Sequence, residues 1–232
     1  MKLIEDPQIL EQYIRLHRFE QIFTNIENVP FKIFEVAEGE NLMSEGEELT
    51  SLYYLVAGRV KVTSSLHTGK FLLLRFNHPL TVLGDLELIR QVPVQSQVTA
   101  VIDSIIMTLP FDYIKQYEMQ NPLFLQQLLQ HISYKLQTNT VATRVNLLES
   151  VESRFASFLL STVSSDPDNN FGQELQTMRI AEIADLLGTS HRHLNRVVKK
   201  LVEEGVIKRE KRHLIILDER RLSDLSQGIR FE

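Results

Sequence analysis

Side chains that can hydrogen-bond to nucleic acid are concentrated in one short segment near the C-terminus. The segment has a helical period, since Leu194, Val197, Val198, Leu201 and Val202 form an apolar stripe and the polar residues face the other way. The polar set comprises Thr189, Ser190, His191, Arg192, His193, Asn195, Arg196, Lys199 and Lys200. Cationic and amide side chains on the outer face of a helix suit the reading of a DNA major groove. The first prediction is therefore DNA binding, with these polar residues as candidate contacts.

The chemistry of these side chains assigns separate roles. Arg192 and Arg196 lie one helical turn apart near the helix N-terminus, and each can present a planar fork to guanine O6 and N7. Asn195 can read adenine, or it faces sideways. Lys199 and Lys200 lie further along the helix, where we expect a cation to contact phosphate rather than a base.

The neighbouring segments predict the elements that hold this helix. Residues 180–187 predict a preceding helix, which Gly188 ends because glycine adopts the left-handed conformation freely. Ser190 can cap the second helix by accepting a hydrogen bond from one of its free amides. A hairpin with a basic turn follows at 206–217, and Lys211 in that turn is a candidate contact to the DNA backbone. This order of elements indicates a winged helix-turn-helix.

The distribution of charge supports this interpretation although the whole chain carries −5. Residues 179–213 contain nine Lys and Arg against five Asp and Glu, a net +4, so the remainder carries −9. The alternative is that the basic face of this helix is only exposed to solvent and does not bind DNA. A zinc site on His191 and His193 is disfavoured, because positions i and i+2 of a helix point about 200° apart.

Composition excludes several other classes. The chain has 232 residues and no cysteine, which rules out disulfides, thiolate zinc sites and a cysteine-ligated iron–sulfur cluster. No apolar run reaches the roughly 20 residues that span a bilayer, and the N-terminus lacks a signal-peptide pattern. We expect a cytoplasmic protein with no membrane partner. Phosphate-loop, zinc-protease and nucleophile-elbow motifs are absent, so we predict no enzyme activity and no catalytic residue.

The N-terminal half has a different pattern. Ile9, Tyr13, Leu16 and Phe19 have helical spacing and predict one or two short helices. From Phe31 to about Leu109, short alternating or apolar runs are separated by glycine-containing turns. The predicted strands lie at 32–36, 51–56, 59–63, 71–76 and 97–101. Many short strands without intervening helices favour a sandwich or jelly roll.

A long helix follows the β region. Asn121-Pro122 is a typical helix start, with a capping side chain and then a proline at the first helical position. The apolar seam then alternates in steps of four and three, through Leu125, Leu129, Ile132, Leu136, Asn139, Thr143 and Asn146. This spacing favours pairing with the same helix of a second subunit. The alternative is one amphipathic helix that packs on its own domain.

These segments together resemble the Crp/Fnr family of bacterial transcription regulators. In the N-terminal half the resemblance rests on Glu38-Gly39-Glu40, Glu45-Gly46-Glu47, residues 52–62, Gly69-Lys70 and residues 83–88. In the C-terminal half it rests on residues 180–190 and on the segment from Leu194 to Leu201. The region from Asn121 to Arg154 aligns without gaps.

The resemblance implies an α+β protein of three parts. A double-stranded β-helix (jelly-roll) sensor domain, similar to cyclic-nucleotide-binding domains, would occupy 1–118. A long dimerisation helix and hinge would occupy 119–149, and a winged helix-turn-helix domain 150–232. The family binds palindromic operators as homodimers, and an effector in the β-roll shifts the population between two arrangements. Members commonly activate transcription, so RNA polymerase is a further expected partner.

The resemblance also identifies where this chain departs from the family. His191, Arg192 and Arg196 match the principal base-contact positions, and the middle position is often glutamate. Arg192 therefore predicts an operator unlike the usual cyclic-AMP receptor half-site.

The candidate effector pocket departs from the family as well. Its residues are Gly84, Asp85, Gln95, Ser96, Asn139 and Thr140. Cyclic-nucleotide binders have Gly-Glu for the ribose and Arg-Ser or Arg-Thr for the phosphate. Here the first pair is Gly84-Asp85, and no cation occurs in 93–97. A buried phosphate without its cation is costly, so we expect the effector not to be cyclic AMP. Asn139 and Thr140 would contact another ligand, or they are polar residues of the helix seam.

No cofactor is predicted, and a small-molecule effector, if one exists, is unidentified. Haem ligated by His67 or His78 is an alternative that their loop positions disfavour. A rival function is a regulatory module that senses a small molecule and controls an enzyme without binding DNA. That rival predicts no basic recognition helix.

Overall fold

The computed structural model describes residues 1–65, 71–162, 179–210 and 213–231. The chain divides into two compact units, Met1–Ser64 with Phe76–Gln137 and Ser65–Arg75 with Thr138–Glu232. The division falls within the long helix rather than at its end, so it differs from the domain boundaries expected from the sequence, which stay a prediction. Each unit is described by itself below.

Two antiparallel sheets form the β region, as the sequence predicts. The strands are β1 (Lys2–Ile4), β2 (Lys32–Val36), β3 (Asn41–Met43), β4 (Ser51–Ala57), β5 (Val60–Ser65), β6 (Phe71–Asn77), β7 (Thr81–Leu83), β8 (Gln97–Ala100) and β9 (Ser104–Pro110). One sheet has the order β1-β2-β9-β4-β7 and the other β3-β8-β5-β6. The five predicted strands coincide with β2, β4, β5, β6 and β8, while β1, β3, β7 and β9 escaped prediction.

The core of the first unit lies under the first sheet. Alternate residues Leu52, Tyr54 and Val56 of β4 are buried, as the two-residue period of a strand requires. The ring of Phe19 packs edge-on against Tyr54, with ring centres 5.1 Å apart. The predicted short helix is confirmed in this region, but it does not extend to Phe19. Helix α1 (Pro7–Leu16) ends at Leu16, which is 62% exposed, and Phe19 enters the core from a separate 3-10 turn.

A short helix α2 (Asp85–Arg90) follows β7, and α3 (Phe111–Tyr113) continues into a π turn at Ile114–Glu118. The long helix α4 (Pro122–Leu148) comes next, with 27 residues. The Asn121 side chain caps it, since its Oδ1 accepts from the backbone amide of Leu123 at 3.0 Å. The predicted start of this helix is therefore confirmed.

The predicted seam of α4 divides into two sets. Leu125 and Ile132 pack against the core of their own unit, next to the buried Phe124. Leu129 and Leu136 are 64% and 68% exposed in the single chain. Asn139 and Thr143 are exposed as well, and the side chain of Asn146 lies outside the described residues. Fewer apolar residues are therefore exposed for a partner than the sequence pattern suggests, because two of the first four pack against the core of their own unit.

The second unit is built around α5 (Val151–Thr162), whose predicted cap Ser150 accepts from the amide of Ser153 at 3.1 Å. It continues with α6 (Ile180–Leu186), α7 (His191–Glu203), strands β10 (Ile207–Glu210) and β11 (His213–Ile216), and α8 (Glu219–Ser226). Phe155 and Phe158 of α5 are fully buried. Among the helices that the structure describes, none combines the length and the apolar character needed to cross a membrane.

Candidate nucleic-acid interface

The turn between α6 and α7 has the local geometry that the sequence predicts. Gly188 lies just after the end of α6 and has a φ of 62°, in the left-handed region. The Oγ of Ser190 accepts from the backbone amide of His193 at 3.2 Å and so caps α7. At the start of α6, the backbone amide of Arg179 donates to the side chain of Glu182 at 3.2 Å. Local hydrogen bonds therefore fix the beginning of both helices.

Helix α7 has one buried and one exposed face. Leu194, Val197, Val198 and Leu201 are buried, as predicted, but Val202 is 38% exposed. The assignment of Val202 to the inward stripe is therefore wrong. At about 100° per residue, Val202 lies roughly 80° around the helix axis from Leu194, at the edge of the stripe.

The cations opposite Leu194 form a narrow arc. Arg192, Arg196 and Lys199 fall within about 60° of one another around the helix axis, and all three are exposed. Lys199 lies 3.6 Å from Glu203, one turn further along α7, and its side chain is 79% exposed. We call Arg192, Arg196 and Lys199 the basic arc. It combines two guanidinium forks with one flexible ammonium on a single face.

The remaining candidates lie beside the basic arc. His191 and His193 are exposed, as is Ser190, while Thr189 and Asn195 are half-buried. The Nδ2 of Asn195 donates to Nε2 of His191 at 2.9 Å, so the amide is turned along the helix toward the preceding turn. Within the described ranges, no cluster of three His, Cys, Asp or Glu side chains is suited to a metal ion.

Lys200 differs from its neighbour Lys199. Its Nζ lies 2.8 and 2.9 Å from the two carboxylate oxygens of Glu152, in the first turn of α5. The hydrogen bond to Glu152 raises the pKa of Lys200. No pattern in the sequence indicates this contact, because 48 residues separate the partners.

The predicted hairpin is formed by β10 and β11, which pair antiparallel from Ile207 opposite Ile216 to Glu210 opposite His213. Lys211, the candidate backbone contact, lies outside the described residues. Lys208 and Arg209 on β10 are exposed, and Lys208 forms an ion pair with Glu210. Lys208 and Arg209 are consecutive on the strand, so their side chains point to opposite faces, and neither was singled out as a contact from the sequence.

We expect Gly188→Ala to destabilise the protein by about 1 to 2 kcal/mol, because a Cβ is disfavoured at this φ. No heavy atom lies closer than 3.8 Å to a Cβ built at Gly188, so the loss would be conformational rather than steric. Urea unfolding measures it, with Gly188→Asn as the control, since asparagine tolerates this conformation better. Unchanged stability of Gly188→Ala would contradict the left-handed turn.

Comparison with known proteins agrees with this architecture. The cyclic nucleotide-binding domain profile matches residues 33–121, and the Crp-like helix-turn-helix domain profile matches residues 153–225. The chain belongs to the Crp/Fnr family of transcriptional regulators. It is a DNA-binding transcription regulator. The rival function, a regulatory module that controls an enzyme without binding DNA, does not account for a Crp-like helix-turn-helix.

Relatives of this Crp/Fnr regulator match over most of its length. It is 24% identical to the regulatory protein YeiL of Escherichia coli O157:H7 over 208 residues, covering 90% of this chain and 91% of the relative. It is 25% identical to a CRP-like cAMP-activated global transcriptional regulator of Mycobacterium tuberculosis, covering 80% and 84%. A CRP/FNR family regulator from Thermus thermophilus has the same fold, with a TM-score of 0.70, 22% identity, and coverage of 84% and 98%.

The candidate effector residues of this Crp/Fnr regulator have partners of their own. Gly84 has a φ of 90° and precedes α2. The carboxylate of Asp85 is bound by Nζ of Lys135 on α4, and the two side chains are only 8% and 15% exposed. Exposed Gln95 donates to the carbonyl of Pro93 at 2.7 Å, and Ser96 is half-buried.

Two further titratable groups lie near this ion pair and were missed from the sequence. Burial raises the pKa of Glu87, and the neighbouring Asp85 raises it further. Burial likewise lowers the pKa of His131 on α4, helped by the charge of Lys135. Glu87 is buried and His131 is half-buried.

The other candidate effector residues lie in the second unit. Asn139 and Thr140 are exposed, and Nη1 of Arg75 donates to Oδ1 of Asn139 at 3.2 Å. Of the haem alternatives, His67 lies outside the described residues. The Nε2 of His78 lies 2.7 Å from Nη2 of the buried Arg59, so His78 is not simply a solvated loop residue.

We expect Lys135→Met to lower the free energy of unfolding by about 3 kcal/mol, because it leaves the Asp85 carboxylate buried without its cation. The double variant Lys135→Met/Asp85→Asn removes that charge and is expected to recover more than half of the loss. Urea denaturation measures both. The matched control is Lys2→Met, whose 4.0 Å pair with Glu35 is solvent-exposed and worth less than about 1 kcal/mol. An equal effect of Lys2→Met and Lys135→Met would contradict a buried pair.

Proposed function

We propose that this regulator reads a palindromic operator as a homodimer, with the basic arc of α7 in the major groove. The observation that carries the proposal is the exposure of Arg192, Arg196 and Lys199 directly opposite a buried apolar stripe. In this arrangement Arg192 and Arg196 read guanines and Lys199 contacts phosphate. Arg192 makes the half-site different from one read by a glutamate at that position.

The remaining candidate contacts have supporting roles in this proposal. Ser190, at the helix N-terminus, and Thr189 lie where backbone phosphates are commonly bound. His191 and Asn195 form one hydrogen-bonded pair and would act together on one base step. His193 lies beside the arc, and Lys211 would contact the backbone from the hairpin.

The dimer in this proposal forms through α4. Leu129 and Leu136 lie seven residues apart, so they fall on one stripe of the helix, and both are more than 60% exposed in the single chain. The same stripe on a second copy would cover them. Crp/Fnr regulators bind DNA as dimers, and a twofold dimer explains a palindromic operator.

We infer that the regulator acts as an activator that contacts RNA polymerase, as members of its family commonly do, and that it works in the cytoplasm where its DNA lies. The proposed effector, if any, is a small molecule other than cyclic AMP. Asp85 is one methylene shorter than glutamate and is already bound by Lys135, and residues 93–97 supply no cation. The chain has no cysteine, so the proposal includes no cysteine-ligated iron–sulfur cluster, and it names no other cofactor.

Selection of DNA sites from a random pool tests the proposal, with the full-length protein and with or without candidate metabolites. The expected result is enrichment of an inverted repeat whose half-sites contain guanines and lie about one helical turn apart. Enrichment of no sequence would overturn operator reading. Binding that cyclic AMP strengthens at least about tenfold would overturn the effector proposal and leave the DNA-reading proposal intact.

A further inference from the structure

The contact between Lys200 and Glu152 joins two elements of the DNA-binding unit. Glu152 lies in the first turn of α5, directly after the Ser150 cap that separates α4 from α5. Lys200 lies in the last turns of α7. Both oxygens of the Glu152 carboxylate face the Lys200 ammonium, at 2.8 and 2.9 Å, and the Glu152 side chain is 22% exposed.

The position of Lys200 on α7 sets it apart from the basic arc. At about 100° per residue it lies roughly 70° around the axis from the centre of the arc, on the flank that meets α5. A second carboxylate, that of Glu204, lies 3.8 Å from the same ammonium. Two acidic groups therefore compete with any phosphate for this cation.

We propose that Lys200 is a positioning residue, whose ion pair with Glu152 sets the rotation of α7 against the start of α5, and that it neutralises no DNA phosphate. The proposal rests on the proposed reading of DNA by Arg192 and Arg196. A side chain reaches about 6 Å from a helix axis, so a rotation of 20° moves its tip by roughly 2 Å. Bidentate hydrogen bonds to guanine do not survive such a displacement. The same pair links α7 to the junction of α4 and α5.

Removal of the Glu152 carboxylate distinguishes the two possible roles of Lys200, positioning α7 and contacting phosphate, because they change DNA affinity in opposite directions. If Lys200 contacted phosphate, removing the Glu152 carboxylate would free that cation and remove a repulsive charge, so DNA binding would strengthen. If the pair positions α7, removing Glu152 weakens specific binding as much as removing Lys200 does. The two roles therefore predict opposite results for one substitution.

The experiment compares Glu152→Gln, Lys200→Gln, their double variant and the conservative Lys200→Arg in the full chain. Affinities for the selected operator and for random DNA are measured over a range of salt concentrations. Each single variant is expected to lower the operator-to-random affinity ratio roughly five- to thirtyfold, since a dimer loses two exposed pairs. The double variant should be no weaker than either single one, Lys200→Arg should stay within about twofold of the parent, and the salt slope should not change. Lys199→Gln and Glu203→Gln are the matched comparison. Lys199→Gln removes a proposed phosphate contact, so it should weaken operator and random DNA alike and lower the salt slope, whereas Glu203→Gln should not weaken specific binding.

Tighter or unchanged operator binding by Glu152→Gln would overturn the proposal, as would additive losses in the double variant. A salt slope that Lys200→Gln lowers by about one unit per protomer would show a phosphate contact instead. The proposed function fails separately, if neither the parent protein nor any variant prefers the selected operator over random DNA.

Discussion

Replacing Arg196 with alanine is expected to lower the affinity for the selected operator by at least about 100-fold and to abolish specific binding. Arg196 belongs to the basic arc and is exposed. A bidentate contact between arginine and guanine is worth about 1 to 3 kcal/mol, and a dimer loses two of them. Binding to random DNA should fall much less, because the base contact and not the backbone contact is lost. Fluorescence anisotropy with operator and random duplexes measures both affinities.

The matched control for Arg196 is Lys199 on the same arc. Lys199→Ala removes a proposed phosphate contact, so it should weaken operator and random DNA alike and flatten the salt slope by about one unit per protomer. The two variants thus separate base reading from charge. Equal operator affinity of the parent protein and Arg196→Ala would exclude Arg196 from base reading.

Replacing Leu129 and Leu136 together with aspartate is expected to raise the dimer dissociation constant by more than about 1000-fold. The two leucines are the most exposed apolar residues of α4 among those described. Burying each stabilises the dimer by about 1.5 to 3 kcal/mol, and the aspartates would place four unpaired charges at the seam. Sedimentation equilibrium measures the dissociation constant. Operator affinity should fall in parallel, because a monomer contacts one half-site only.

Gln130→Asp is the control for the dimer prediction. Gln130 is exposed on α4 but lies about 100° around the helix from Leu129, so the added charge is off the seam. It should leave the dimer intact. If the double leucine variant stayed dimeric as well, α4 would serve its own domain alone and the dimer would form through another surface.

Most of the β region was predictable because its strands alternate. In β4 the buried residues Leu52, Tyr54 and Val56 recur at every second position, and Ser51 and Tyr53 beside them are only half-buried. β9 (Ser104–Pro110) escaped prediction because it lies between β2 and β4 and most of its residues are buried. Its sequence therefore shows no alternation of polar and apolar residues. A central strand with both faces covered has no alternation to detect.

Local chemistry made the turn and the helix cap of the candidate site predictable from the sequence, whereas its long-range contacts were not predictable. The Ser190 cap and the Gly188 turn depend on residues within a few positions of each other. Lys200 and Glu152 are 48 residues apart, and Lys135 and Asp85 are 50 apart. A sequence shows that these side chains are charged but not which opposite charge folding brings to them. The sequence therefore placed Lys200 among phosphate contacts, while the structure pairs it with Glu152.

The narrow exposed stripe of α4 has a consequence for gene dosage. Leu125 and Ile132 pack in the core of their own domain, so of the first four apolar residues of the seam only Leu129 and Leu136 are left for a proposed partner. A seam with so little apolar area gives a dimer of moderate stability. Below its dissociation constant, the amount of dimer varies with the square of the amount of chain, by mass action. Halving synthesis of the regulator would then reduce the dimer fourfold, so that supply of the protein would itself act as a control on transcription.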